Sequence, residues 1–226
     1  MTNHAKNCII TGLPMTEVYL QPTLKLSSPW IDQTIKKKKI IWAPHYSINR
    51  NTAFHYSTFL VYYDYMLELA EKYKDYIQIA FKPHPYLLTK LYEIWGKDKT
   101  DRYYSSWENG VNTQLVLGDY VSLFMHSDAL IHDCSSFTIE YHYTKNPVLY
   151  LIKDDHHADG LNEFGKKAFK MHYLGRNEED IESFVINIIQ GKDNMKKKRE
   201  DFYKRYLLPP YGKPASINII NAILGH

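Results

Sequence analysis

Three short stretches of this chain carry side chains that could handle a phosphate. In Lys82-Pro83-His84-Pro85 an imidazole stands between two prolines. Pro83 fixes the backbone ahead of it and Pro85 disfavours the α region for it, so His84 sits on a stiff, extended segment. An imidazole near its ordinary pKa can donate to a phosphate oxygen or exchange a proton with a hydroxyl. Asp133-Cys134-Ser135-Ser136 follows the apolar run Ala129 to Ile131 and precedes Phe137, Tyr141 and Thr144 at helical spacing. Ser135 and Ser136 therefore fall where a helix should begin, and its hydroxyls and free N–H groups could face an anion. Pro44-His45 closes a third apolar run. An ordinary Ser N-cap and a His84 that only caps a strand end are the competing structural readings, and for His45 the structural and functional roles stand level. His132 beside Asp133 reads as a structural hydrogen-bond pair. His156, His157, Asp159 and His172 match no metal-ligand spacing, and neither metal nor cofactor is expected.

The surrounding pattern alternates strand and helix. Ile40-Ile41-Trp42-Ala43 reads as a strand stopped by Pro44, after a lysine run, Lys36 to Lys39, of the kind that is usually a solvated turn. From about His55 to Tyr76, Phe59, Tyr63, Met66, Leu67 and Ala70 recur at helical spacing. Ile77 to Lys82 reads as a strand and Leu87 to Trp95 as a helix closed by Gly96; Lys97 to Asn112 is polar and aromatic and reads as an irregular excursion. Strands follow at Thr113 to Leu117, Ala129 to His132 and Pro147 to Ile152, with helices at Asp119 to His126 and Ser135 to Thr144. Lys153 to Gly165 reads as a polar loop, and helices close the chain at Glu178 to Gln190, Asp193 to Tyr206 and Ala215 to Leu224. Such repetition predicts an α/β fold, a Rossmann-like doubly wound parallel sheet. In such sheets ligands bind outside the carboxyl ends of the strands, where all three polar stretches lie.

Composition narrows the classes. Hydrophobic residues make up 44% and charged residues 23% of the 226, which suits a packed domain. A net charge of +3 is too small to argue for nucleic acid as a partner. Cys8 and Cys134 show neither disulfide nor metal spacing, so a reduced cytosolic chain is the simplest account. No apolar stretch approaches the roughly 20 residues of a membrane span.

With these residues in view, the chain resembles the CDP-glycerol glycerophosphotransferases, the teichoic-acid primases and polymerases and related capsule enzymes. The resemblance rests on Asp128 to Ser136, then Glu140-Tyr141 and Lys145 to Tyr150, on Lys82-Pro83-His84-Pro85, on Trp42-Ala43-Pro44 and on Thr11-Gly12-Leu13-Pro14, in family order over nearly the whole chain. It implies one lobe, the C-terminal one, of a two-lobed glycosyltransferase B (GT-B) fold, with residues 1–226 as a single donor-binding lobe, 1–30 as its lead-in and 193–226 as C-terminal helices. It also implies a catalytic or donor-phosphate role for His84, and phosphate binding by Ser135, Ser136, Lys82 and His45. Asp133, Cys134, Pro83, Pro85 and Glu140 would stand near the site. The expected partners are CDP-glycerol or another nucleotide-activated donor, a polyol-phosphate or glycan acceptor, and a missing N-terminal lobe or partner chain, at the cytoplasmic face of a membrane.

Two departures matter. The family's N-terminal lobe carries a His-Gly pair expected to act on the acceptor, and this chain has no such pair. Cys134 and Lys82 stand where Tyr and Arg are commoner; Lys keeps the charge but gives up the bidentate fork. The lobe alone is therefore expected to bind its donor weakly, in the millimolar range. A nucleotide-sugar glycosyltransferase or epimerase of the same fold, and a non-catalytic nucleotide-binding fragment, are the alternatives.

Overall fold

A computed structural model describes residues 6–21, 26–48, 57–153 and 160–225. Six parallel strands form one sheet: β1 (Lys38–Ala43), β2 (Ile77–Phe81), β3 (Thr113–Leu115), β4 (Ala129–His132), β5 (Val148–Leu151) and β6 (Tyr173–Gly175). Their order is β3-β2-β1-β4-β5-β6. The chain winds outward from β1 on one side and from β4 on the other, so the order reverses between these two central strands. That reversal leaves a crevice at their carboxyl ends.

Every residue of β2, β4 and β5 is buried, as a parallel sheet covered on both faces requires. Alternate side chains feed two cores. Ile40, Trp42, Ile79, Phe81 and Ile131 pack with α1 (Phe59–Lys72), α2 (Pro85–Trp95), α3 (Lys97–Asn109) and α7 (Glu178–Ile189). Ile41, Ala43, Ala80 and Leu130 face Trp30, α4 (Val121–Met125) and Tyr141 on the other side. The remaining helices are α5 (Phe137–Glu140), α6 (Glu163–Phe169), α8 (Lys196–Phe202) and α9 (Ala215–Leu224). Among the described residues no helix is long and apolar enough to cross a membrane.

Several expectations are corrected. The polar stretch after Gly96 is the helix α3, in which Thr100, Tyr103, Tyr104 and Trp107 are buried. Their i, i+3, i+4, i+7 spacing is a helical stripe that the charged residues between them disguise. The strand beginning at Thr113 ends at Leu115, and β6 is a three-residue edge strand too short to leave a period-two signal. Instead of running from Ser135 to Thr144, the helix spans only Phe137–Glu140 and tightens into a 3-10 turn, Tyr141–Thr144, closed by left-handed Lys145 at φ 63°. Helix α6 cuts into the expected loop, and α8 gives way to a π-helical turn, Tyr203–Leu207. The expected helix start at His55 and the candidate ligands His156, His157 and Asp159 lie outside the described residues.

The amino-terminal segment is more than a lead-in. Its 3-10 helix, Pro14–Leu20, reaches α9 through Glu17, which accepts from the Ser216 backbone at 2.5 Å and its hydroxyl at 3.0 Å. Gly12 makes the approach possible. It has φ +95°, and a Cβ there would lie 3.0 Å from the Ala215 Cβ.

Candidate active site

Hydrogen bonds tie the loops at the carboxyl ends of β1, β2, β4 and β5 into one unit. The His84 N–H donates to the Pro44 carbonyl at 3.0 Å. The His45 N–H donates to Asp133 Oδ1 at 2.6 Å, and the Tyr150 hydroxyl donates to the Asp133 carbonyl at 3.2 Å. Asp133 also gathers the start of α1: its Oδ2 accepts from the Thr58 N–H at 2.6 Å and the Thr58 hydroxyl at 2.9 Å. Ser57 Oγ lies 3.3 Å from the same oxygen. Full burial pushes the Asp133 carboxyl up to about 6 against these hydrogen bonds, which favour the carboxylate. At neutral pH it is an anionic clasp. His132 does not pair with it; its Nδ1 lies 2.9 Å from the Cys134 carbonyl.

The clasp frames a cavity of about 370 Å³ lined by Pro44, Lys82, His84, Asp119, Tyr120 and Ser136, among others. His84 has ψ 139°, the extended state that Pro85 imposes, and its ring accepts from the Tyr86 N–H at 3.2 Å. Capping α2 through Nδ1 places the proton of the neutral ring on Nε2. The same happens at His45, whose Nδ1 accepts from the Ser47 N–H at 3.2 Å. The two imidazoles lie 5.0 Å apart, centre to centre, and Tyr46 packs 4.4 Å from His84. The structural and functional readings of His84 are thus compatible: the capping bond sets the tautomer that a hydrogen-bond donor needs.

Burial shapes the charges. It lowers the Lys82 pKa, and lowers His84 further with the help of Lys82. His45 is brought down to about 4 by burial and by His84. Three groups able to carry positive charge crowd together, with Asp119 in the same cavity wall acting to raise Lys82; an anion in the cavity would oppose the lowering of each.

The serines meet expectation unevenly. Ser136 lines the cavity and its Oγ lies 2.9 Å from Cys134 Sγ, but neither side chain caps the helix. Ser135 is exposed and lines neither this cavity nor its neighbour. A helix of four residues also lacks the aligned peptides that a strong N-terminal dipole needs. Burial raises the Cys134 thiol, which stays protonated.

Ser136 and Tyr120 are shared with a larger, mostly apolar cavity of about 810 Å³ between residues 9–20 and the carboxyl-terminal segment. Glu140 stands in its wall, accepting from the Tyr19 hydroxyl at 3.0 Å and the Tyr120 hydroxyl at 2.9 Å. Burial raises its pKa. Sequence reasoning missed Asp119, Tyr120, Tyr19 and Tyr46. The first two follow the third strand and were discoverable by the rule that found the others, whereas Tyr19 arrives from 121 residues away. Among the described residues no three His, Cys, Asp or Glu side chains could together hold a metal ion.

The family model of the CDP-Glycerol:Poly(glycerophosphate) glycerophosphotransferases matches residues 2–225. This chain belongs to that family. No curated protein matches it. Among solved structures, the wall teichoic acid polymerase TagF superposes with a TM-score of 0.54 at 23% identity, over 84% of this chain and 45% of that one. TagF soaked with CDPG gives 0.51 at 21%, over 83% and 41%. A protein from Listeria monocytogenes described as a UDP-N-acetylglucosamine 2-epimerase gives 0.53 at 18%, over 96% and 52%. These likenesses are of fold, the Rossmann-like sheet of GT-B proteins, and this chain spans about half the length of each.

Proposed function

We propose that this chain is the donor-binding lobe of a glycerophosphotransferase and that the smaller cavity receives the diphosphate of CDP-glycerol. One observation carries the reading: His84, Lys82 and Ser136, from two different strand ends, line a single cavity. The adjoining apolar cavity has the size and character of a nucleoside pocket. Glu140 there can accept from sugar hydroxyls with the lone pairs that Tyr19 and Tyr120 leave. The second lobe, or a partner chain, would supply the acceptor side.

The reaction is attack of an acceptor hydroxyl on the β-phosphorus of the donor, with the bond to the bridging oxygen breaking, CMP leaving and the hydroxyl proton passing to a base on the acceptor side. A phosphate monoester has a second pKa near 6, so CMP departs without needing a proton. His84, held neutral by burial beside Lys82, fits a hydrogen-bond donor to the developing charge better than a general acid. Lys82 supplies charge, Ser136 a hydroxyl, and His45 supports the His84 ring.

Hydrogen bonds to a charged group contribute about 1.5 to 3 kcal/mol each, whereas micromolar affinity requires about 8. Three such contacts, less desolvation, give weak binding. Calorimetric titration of the chain with CDP-glycerol, CDP and UDP-N-acetylglucosamine tests this. The expectation is a millimolar dissociation constant for the cytidine compounds, weakened about tenfold or more in His84→Ala. Equal binding by the His84→Ala variant, or preference for the uridine compound, would overturn the reading.

A further inference from the structure

The lysine run Lys36 to Lys39 lies at the opposite end of the sheet from the donor cavity, where β1 begins, and there it borders a cavity of about 330 Å³. Lys38 and Asp128 neutralise each other at 3.3 Å. Among the described residues the Lys37 ammonium reaches only the uncharged Gln33 Oε1, at 2.9 Å, and the Lys39 ammonium only the face of Trp30, at 5.7 Å. Lys36 has no ion-pair partner among the described residues. Beyond the Lys38 pair, Lys36, Lys37 and Lys39 thus face Asp32 alone, a formal excess of two positive charges around the cavity. A solvated turn explains charge on the surface, but not the group beneath it.

That group is Gln78, fully buried in β2 and part of the cavity wall. Its Nε2 donates to the Ile31 carbonyl at 3.0 Å and to Gln114 Oε1 at 3.2 Å. Two acceptors fix the orientation of the amide. Among the described residues its Oε1 is left buried with no hydrogen-bond partner, an unmet acceptor that a donor would relieve. His126 adds a second acceptor: its Nδ1 lies 2.8 Å from the Ser122 carbonyl and so carries the proton, leaving Nε2 to accept. The wall therefore asks for two things at once, anionic oxygens for the lysines and a hydroxyl for Gln78 or His126.

We propose that this cavity is a second binding site, for a polyol phosphate chain in which phosphates alternate with hydroxyl-bearing carbons. Length along β1 puts it about 20 Å from the donor cavity, at roughly 3.3 Å per residue. It would hold the body of a growing chain while the chain's end is extended elsewhere. The ligand class rests on the family reading; the site rests on Gln78 and the lysines.

Calorimetric titration with a synthetic glycerol phosphate tetramer, sn-glycerol 3-phosphate and tripolyphosphate tests it on the wild type, Lys36→Gln/Lys37→Gln and His84→Ala. The tetramer should bind in a salt-dependent way, more tightly than the monomer, and on the order of fivefold more weakly to the double lysine variant. His84→Ala should weaken CDP about tenfold or more and keep the tetramer. Failure of CDP to bind with the tetramer still held would sink the donor reading and leave this site standing. Tripolyphosphate binding as tightly as the tetramer would overturn the requirement for hydroxyls. No tetramer binding, or equal binding to the double lysine variant, would overturn the site.

Discussion

Asp133→Ala is the substitution whose consequence the structure defines best. Removing the carboxylate strips acceptors from the His45 N–H, the Thr58 N–H and the Thr58 hydroxyl. Ser57 is spared, because its hydroxyl also donates to the His45 carbonyl at 2.8 Å. Three buried donors at about 1–3 kcal/mol each, partly relieved by water entering the vacated space, give a net loss of about 3–4 kcal/mol. For a chain of this size that lowers the melting temperature by roughly 6–16 °C.

The pH dependence adds a second signature. Burial raises the folded-state pKa of Asp133 from 3.8 to about 6. The folded state therefore binds this proton at higher pH than the unfolded state does, and its contribution to stability grows as pH falls from about 6 toward 4. Urea denaturation at several pH values should find the gap between wild type and Asp133→Ala widening across that window. A variant that melts within 2 °C of wild type, or a gap that stays flat with pH, would refute the clasp.

Other expectations follow from particular contacts. His132, His172 and His142 are buried in a row, with rings 5.3 and 4.8 Å apart, and each leaves one nitrogen without a partner among the described residues. Burial depresses all three, His172 to about 4, so the contribution of His172 is full above about 6.5 and is lost as pH falls toward 4; His172→Phe should flatten that part of a stability profile, and an unchanged slope would count against it. Fully buried Arg199 pairs with Asp193 and donates to the Lys145 carbonyl at 3.2 Å. Arg199→Ala should cost about 2–4 kcal/mol in denaturant titrations, because the hydrogen bonds and the packing of the buried guanidinium are lost together. Tyr120→Phe removes one donor to Glu140, and should cost about 1 kcal/mol of stability while weakening CMP more than inorganic phosphate in a binding assay.

Much of this arrangement was legible from the residues. The prolines around His84 fixed its backbone, and the strand ends Pro44, Lys82 and Asp133 converge because a parallel sheet aims all its carboxyl ends one way. What stayed hidden depended on distance or on mean polarity. Glu140 meets Tyr19 across 121 residues, and no local spacing encodes that. Thr100, Tyr103, Tyr104 and Trp107 lie inside a segment rich in charge, so their stripe was swamped. The serine turn misled for another reason: a short helix that ends at Lys145 looks in sequence like the opening of a long one, and the side chain expected to cap it turns to Cys134 instead.

The central claim concerns where a diphosphate sits, and a crystal structure of the chain soaked with CDP-glycerol addresses it directly. The account predicts a phosphate oxygen about 3 Å from His84 Nε2, with Lys82 and Ser136 around the same diphosphate and the cytidine in the neighbouring cavity beside Glu140. A diphosphate bound elsewhere, with His84 still facing an empty cavity, would contradict it.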